Sequence, residues 1–435
     1  MASMLAQDLS QPPVVTVSRE VSRSEFSFLG AGSHPSNCAH RACRSGIIQK
    51  NGADKTRFLL RTSESSPGRR GQVEKTLKSH LPSLNGLRAF SILLVLIAHG
   101  YRNDYCSYFG DLGVSIFFVI SGLLITWLMI RERDATGTFS LPNFYVRRCL
   151  RILPVFWLLI FTVSALKSAQ LISISWLDIL RALTFTHNYP LSLRYPQAID
   201  YAWWLHHTWS LSLEEQFYLI WPSLFAFLPR RVAPRLAVTL ALSGPILRTL
   251  DYYLLPSFRG FEPGAFQTRI DILMAGCAAA FLLESPVWRQ RIGKLRAWPI
   301  LAATSFFLFL AEPILGIHFA TDPFVRTVTH VIFPTIDAVA IALTVLVLVA
   351  GRRGAMFKVV NLRAVQHVGI LSYSLYIWQQ LFLVPSFGTP AIGALWHWPL
   401  LIRLLLLYIV AFCSFNFLER PLLRLRSRFR HGVTV

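Results

Sequence analysis

Two ionisable residues, Arg88 and His99, stand inside the first long apolar run of the chain. At about 100° per residue, the eleven positions between them close roughly three helical turns, so both side chains leave one face about 16 Å apart along the axis. Charged groups are costly at membrane depth, and where they occur they mark binding or proton-handling sites. Each also has a plainer reading: Arg88 fits a helix-end residue snorkelling to headgroups, and His99 a histidine satisfied by a backbone carbonyl. A carboxylate beside the imidazole would fix its tautomer and raise its basicity, as a general base near neutral pH requires. Glu214 is placed for that role within Trp209-Ser210-Leu211-Ser212-Leu213-Glu214-Glu215-Gln216-Phe217-Tyr218; its neighbour Glu215 also fits a residue facing headgroups or water. A third group, Arg147, Arg148 and Arg151, fits either ordinary positive-inside charge or phosphate recognition, because guanidinium forks pair bidentately with phosphate oxygens.

The elements that position these residues follow from composition. Of 435 residues, 53% are hydrophobic and only 15% charged, against roughly 25% charged in soluble domains. Lipid is therefore the expected solvent, and the fold class all-α, a polytopic transmembrane bundle of about ten helices. The spans predicted are about 84–102, 109–130, 151–167, 210–228, 232–250, 269–284, 298–316, 327–350, 366–385 and 399–418, the third and sixth short enough to be tilted or re-entrant. Ten crossings put most loop Arg and Lys residues on one side, a bias of about fourfold that places both termini in the cytosol. The formal charge of +21 then sets topology, and no nucleic-acid partner is expected. Residues 1–80 read as a polar leader, disordered or preceding the true start, 81–426 as the transmembrane domain and 427–435 as a basic cytosolic tail.

Small residues along the second span, Gly110, Gly113, Ser121 and Gly122, predict close helix approach. Pro154, Pro245 and Pro334 fall within or near spans, where another helix or a cavity has to satisfy the freed carbonyls. The longest outer loop, about 171–208, is dense in aromatic residues and histidines, with Trp203, Trp204 and His207 as candidate substrate-binding residues. An interfacial aromatic belt and a sugar-stacking platform both fit that density. The six cysteines lack ligand spacing, so no metal site and no disulfide framework is expected. No Gly-rich phosphate loop, HExxH or GxSxG element is present, which excludes P-loop ATPases, zincins and α/β-hydrolases. A transporter or an anionic-lipid-binding scaffold would also place ionisable groups at membrane depth.

Several blocks in order carry a resemblance. Leu84-Asn85-Gly86-Leu87-Arg88-Ala89 leading to His99 is the first; Gly113 to Gly122 and Arg148-Cys149-Leu150-Arg151-Ile152-Leu153-Pro154 follow. Thr208 to Tyr218, Arg269-Ile270-Asp271 with Gly276, Ser372 to Trp378, and Glu419-Arg420-Pro421 complete the series. Together they resemble the acyltransferase 3 family of membrane O-acyltransferases, from about Leu84 to Arg426. Where some members carry a histidine after the tyrosine-rich block, this chain has Gln379-Gln380, so no role of that histidine transfers. The chain shows no hydrolase-like carboxy-terminal domain of the kind some members bear, which implies a transferase acting without a fused second enzyme.

The resemblance implies transfer of an acyl group, acetyl foremost, from cytosolic acyl-CoA to a hydroxyl of an extracytoplasmic carbohydrate, at a bacterial inner membrane. His99 would be the general base with Glu214 orienting it, and Arg148, Arg151 and Arg147 would hold the donor phosphates. Arg88 would bind donor phosphate or polarise the thioester carbonyl. Acyl-CoA, acetyl-CoA in particular, is expected as co-substrate, with no permanently bound cofactor; the expected partners are that donor, a carbohydrate acceptor and membrane lipid. Direct attack and an acyl-enzyme relay are both compatible with this set.

Overall fold

In hydrocarbon a backbone N–H or C=O has no water to turn to, and a chain this apolar satisfies them internally by forming helices. A computed structural model describes residues 81, 83–101, 103–189, 199–254, 264–295, 297–319, 321–351, 354–383 and 397–425. The expected leader, 1–80, and the basic tail, 427–435, lie outside the described residues. Among the described residues the chain is all-helical, with no strand.

Helix α1 (Leu84–Tyr101) is followed by α2 (Asp104–Thr136), which starts where Asn103 Oδ1 accepts the Cys106 N–H at 2.7 Å. The 33 residues of α2 span about 50 Å, longer than a bilayer core. It ends at Gly137, whose φ of +81° allows its N–H to bond the Arg133 carbonyl, a left-handed cap that suits glycine. Ser140 caps α3 (Leu141–Ser168) by accepting from Asn143 N. Short helices α4 (Trp176–Leu183) and α5 (Ile199–His206) lead into α6 (Thr208–Phe227). Beyond it run α7 (Val232–Leu242), α8 (Gly244–Leu254), α9 (Phe266–Glu284) and α10 (Pro286–Lys294). The remainder comprises α11 (Pro299–His318), α12 (Pro323–Ala350), α13 (Ala355–Val360), α14 (Arg363–Phe382) and α15 (Leu400–Leu425).

Seven of these, α1, α2, α3, α9, α11, α12 and α15, are long and apolar enough to cross a membrane. They coincide with seven of the ten predicted spans, and the chain is a multi-pass membrane protein. The other three predicted spans differ for identifiable reasons. The stretch 232–250 is divided between α7 and α8, with Pro245, which has no N–H to donate, as the second residue of α8. Helices α6 and α14 have the length but are diluted by Ser210, Ser212, Glu214, Glu215 and Gln216 in one, and by Ser372, Ser374, Gln379 and Gln380 in the other. They turn most of those polar groups inward.

Helix α2 stands in the middle, with α1 packed on one side and α9 on the other; α14 packs on α1, and α7 and α12 pack on α9. Small residues set these distances. A methyl group on Gly122 would lie 2.0 Å from the Leu273 carbonyl oxygen, and one on Gly276 would lie 2.1 Å from that of Val119, so the α2–α9 crossing is backbone against backbone. Gly113 and Gly110 meet Ser91 and Ala98 of α1 in the same way, as their types predict. The core along α2 includes Phe118, Leu123, Leu124 and Trp127. Replacing Gly276 with Leu forces that crossing apart and is expected to abolish accumulation of monodisperse protein in size-exclusion chromatography of detergent extracts. Gly293→Ala, where the added methyl meets only the Ala350 carbonyl oxygen at 3.9 Å, is expected to behave as the unaltered chain does.

Candidate functional site

Arg88 lies near the start of α1 and has no exposed surface. Its Nη1 donates to Asn85 Oδ1, one turn back, at 2.9 Å, and its electrostatic neighbours are Tyr218, Glu214 and Arg148. A buried guanidinium needs a counter-charge, because the desolvation it suffers is not otherwise recovered. Glu214, 3% exposed, supplies it from α6. The two carboxylate oxygens accept from Ser121 Oγ of α2 at 2.8 Å and from the Tyr218 hydroxyl at 3.0 Å. The spacing of four between Glu214 and Tyr218 puts both on one stripe of α6.

The ring of Tyr218 in turn carries Arg148 of α3, its guanidinium 3.8 Å from the ring centroid, with Phe144 at 5.7 Å. Such stacking favours a cation electrostatically while leaving its N–H edge unspent. Arg148 is 4% exposed, and none of its three guanidinium nitrogens has a hydrogen-bond partner. A stacked face with an open fork is a geometry that admits a bidentate oxyanion. Arg151, one turn on, is buried beside Tyr373 of α14, whose hydroxyl donates to the Ile152 carbonyl at 2.8 Å. Arg147 pairs with Glu132 at 2.8 Å and so clasps α3 to α2.

A second polar group sits where α1 ends. His99 Nδ1 lies 2.9 Å from the Val95 carbonyl oxygen. A carbonyl only accepts, so in the neutral ring Nδ1 holds the proton and Nε2 the lone pair. Trp203 of α5 packs edge-on against the imidazole, with centroids 5.6 Å apart, and its indole N–H donates to the Gln380 carbonyl at 3.0 Å. His207, immediately before α6, directs Nδ1 at Gln380 Oε1, 2.5 Å away, and its ring edge meets Tyr376 at 5.5 Å. Tyr376 donates to the His207 carbonyl at 2.9 Å and stands 2.5 Å from Ser210 Oγ, which fixes the start of α6 against α14. Burial pushes the His207 imidazole down to about 3, so the ring is neutral at physiological pH.

The fold thus brings Arg88, Glu214 and Arg148 together around Tyr218, with Arg151 at the flank. It brings His99, Trp203 and His207 together around Gln380. Arg147 turns to Glu132, and Trp204, 3% exposed, packs in the core. Glu214, expected beside His99, lies seven residues past His207, about 10 Å further along α6, and at that depth it faces Arg88. The partner that orients Nδ1 of His99 is the backbone carbonyl of Val95. Tyr218, Tyr376 and Gln380 escaped the sequence reading. The i,i+4 spacing to Glu214 was a usable signal for Tyr218; none existed for Gln380, which lies 173 positions from His207.

Residues 81–415 match the model of an acyltransferase domain, that of the acyltransferase 3 family. O-acetyltransferase OatA of Staphylococcus aureus is 29% identical over 360 residues, which cover 79% of this chain and 57% of the relative. Peptidoglycan O-acetyltransferase OatA of Listeria monocytogenes is 26% identical over 365 residues, covering 79% and 56%. The chain therefore spans little more than half the length of these curated relatives, and no solved structure matches it. The matched region contains both polar groups and the helices that hold them, and on that extent of agreement the chain belongs to the acyltransferase 3 family.

Proposed function

We propose that this protein is a membrane O-acyltransferase that moves an acyl group, acetyl foremost, from cytosolic acyl-CoA to a hydroxyl of an extracytoplasmic carbohydrate. The observation that carries the reading is the His99 geometry: a backbone bond holds the proton on Nδ1 and leaves Nε2 as the base, on the face of α1 that also bears Arg88. In the proposed orientation, ten crossings with cytosolic termini in a bacterial inner membrane, Arg88, Arg148 and Arg151 lie toward the donor side and His99 toward the acceptor side.

The donor's phosphates are then met by the open fork of Arg148, with Arg151 beside it; Arg147, engaged with Glu132, shapes the mouth of the site. Glu214 acts through Arg88, holding the guanidinium where it binds donor phosphate or polarises the thioester carbonyl. His99 Nε2 takes the proton of the acceptor hydroxyl as its oxygen attacks the acyl carbon, the C–S bond breaks, and the proton passes to the departing thiolate. In a relay, a side chain would first take the acyl group from sulfur with its own proton passing to the thiolate, and the acceptor oxygen would then break the acyl–enzyme bond, with His99 moving the acceptor's proton to the released side chain. Trp203, T-shaped against His99, is the aromatic candidate for contact with the apolar side of a pyranose. The relatives' names, one of which specifies peptidoglycan, make cell-wall amino sugars the first acceptors to test.

Mass spectrometry of surface glycans from strains with and without the gene tests the activity directly; unchanged O-acyl content in the deletion would remove it. Replacing His99 with Ala is expected to lower acyl transfer by at least about 10²-fold with normal protein accumulation. Full activity in that variant would sink the general-base role. Arg148→Lys keeps the charge but loses the fork, and should raise KM for acetyl-CoA by about tenfold or more in a purified assay. An unchanged donor KM would take Arg148 out of the donor site.

A further inference from the structure

Two buried polar atoms beside His99 are left over by this mechanism. His207 is 2% exposed and Gln380 1% exposed, and neither His207 Nε2 nor Gln380 Nε2 meets a partner in hydrogen-bond geometry, the Ile377 carbonyl also lying close to the His207 ring. Their orientation is settled by a third atom. The backbone N–H of His207 also points at Gln380 Oε1, 3.2 Å away. A peptide N–H only donates, so the side-chain atom facing it is the amide oxygen, which only accepts. The imidazole Nδ1, at 2.5 Å from that same oxygen, must then carry its proton. In the neutral ring Nε2 is consequently a lone-pair acceptor, and the Gln380 amide nitrogen is a two-proton donor.

A buried acceptor and a buried donor left unpaired are each costly, and unsatisfied buried polar groups of this kind occur at polar ligand sites. Both atoms are uncharged, which selects against phosphate, carboxylate and ammonium groups. A hydroxyl donates one hydrogen and accepts another, and vicinal hydroxyl or acetamido groups on a sugar ring present that pattern over a few ångströms. The anchoring is shared with the proposed base: Trp203, which packs on His99, donates to the carbonyl of the same Gln380.

We infer that His207 and Gln380 form a neutral subsite for the acceptor sugar, with His207 Nε2 accepting one of its O–H groups and the Gln380 amide donating to a neighbouring oxygen. The inference rests on the acyl-transfer reading only for which carbohydrate is the acceptor. His207 is a binding residue here and takes no proton; Gln380 both binds and holds the tautomer of His207.

The test uses the full-length protein in lipid nanodiscs, with chitopentaose and maltopentaose as probes. Binding is followed by tryptophan fluorescence, and transfer and acetyl-CoA hydrolysis are followed by released thiol. His207→Phe and Gln380→Met keep side-chain volume and remove one partner each. Each is expected to weaken binding of the preferred oligosaccharide by about tenfold and to raise its KM more than it lowers kcat. Gln380→Glu, which keeps an acceptor for Nδ1–H and loses the donor, should restore part of the loss. Unchanged oligosaccharide affinity in both variants overturns the inference, as does a fall in kcat with KM unaltered, or failure of the unaltered protein to bind either probe. Binding that depends on His207 and Gln380 in a protein that transfers no acyl group would sink the acyl-transfer reading and leave the subsite standing.

Discussion

A guanidinium with no exposed surface inside a helical bundle dictates the arrangement of everything near it. Arg88 has to be compensated by groups the protein itself provides, since it is cut off from bulk solvent. Asn85 supplies a neutral acceptor from the same helix and Glu214 a negative charge from α6. Glu214 is in turn held by Ser121 of α2 and by Tyr218, and Tyr218 supports Arg148 of α3. Four helices are thereby tied through one chain of polar contacts. Those contacts are at once packing and chemistry, and glycine contacts hold α2 close against α1 and α9 beside them.

The two polar groups are separated along α1 by about three turns of mostly apolar helix. This separation fits a reaction whose partners arrive from opposite sides of a membrane. Charge is concentrated where an anionic donor would enter, and the other end is occupied by two imidazoles, an indole, a tyrosine and a glutamine. In the first group Arg88, Arg148 and Arg151 lie among the buried carboxylates Glu214, Glu215 and Glu419, whereas the atoms left unpaired on His207 and Gln380 are uncharged. In the proposed reaction, ligands of different chemistry would be sorted by what each end leaves unsatisfied.

Periodicity and residue type were enough to place Arg88 and His99 on one face, to forecast close contact at Gly113 and Gly122, and to mark Arg148 as a phosphate candidate. They misjudged the depth of Glu214, because reading α6 as a span beginning near His99 gave no measure of how far along it the carboxylate would find its cation. At 232–250 an apolar total hides the break between α7 and α8. Among the candidate sugar-binding aromatics, Trp203 and Trp204 are equivalent by composition. Adjacent helix positions point about 100° apart, and only packing decides that Trp203 faces His99 while Trp204 enters the core.

What the sequence determined by itself is everything that depends on neighbours within a few residues: helical segments, their apolar character, the stripe shared by Arg88 and His99, and the one shared by Glu214 and Tyr218. What only the tertiary structure decided is which stripes meet. The tautomer of His207 depends on Gln380, and the fork of Arg148 is open because Tyr218 occupies its face and leaves its edge. Spacing along a helix is set by local backbone geometry and can be read from any stretch of chain. A contact across 173 positions depends on how whole helices pack, and no local pattern encodes it.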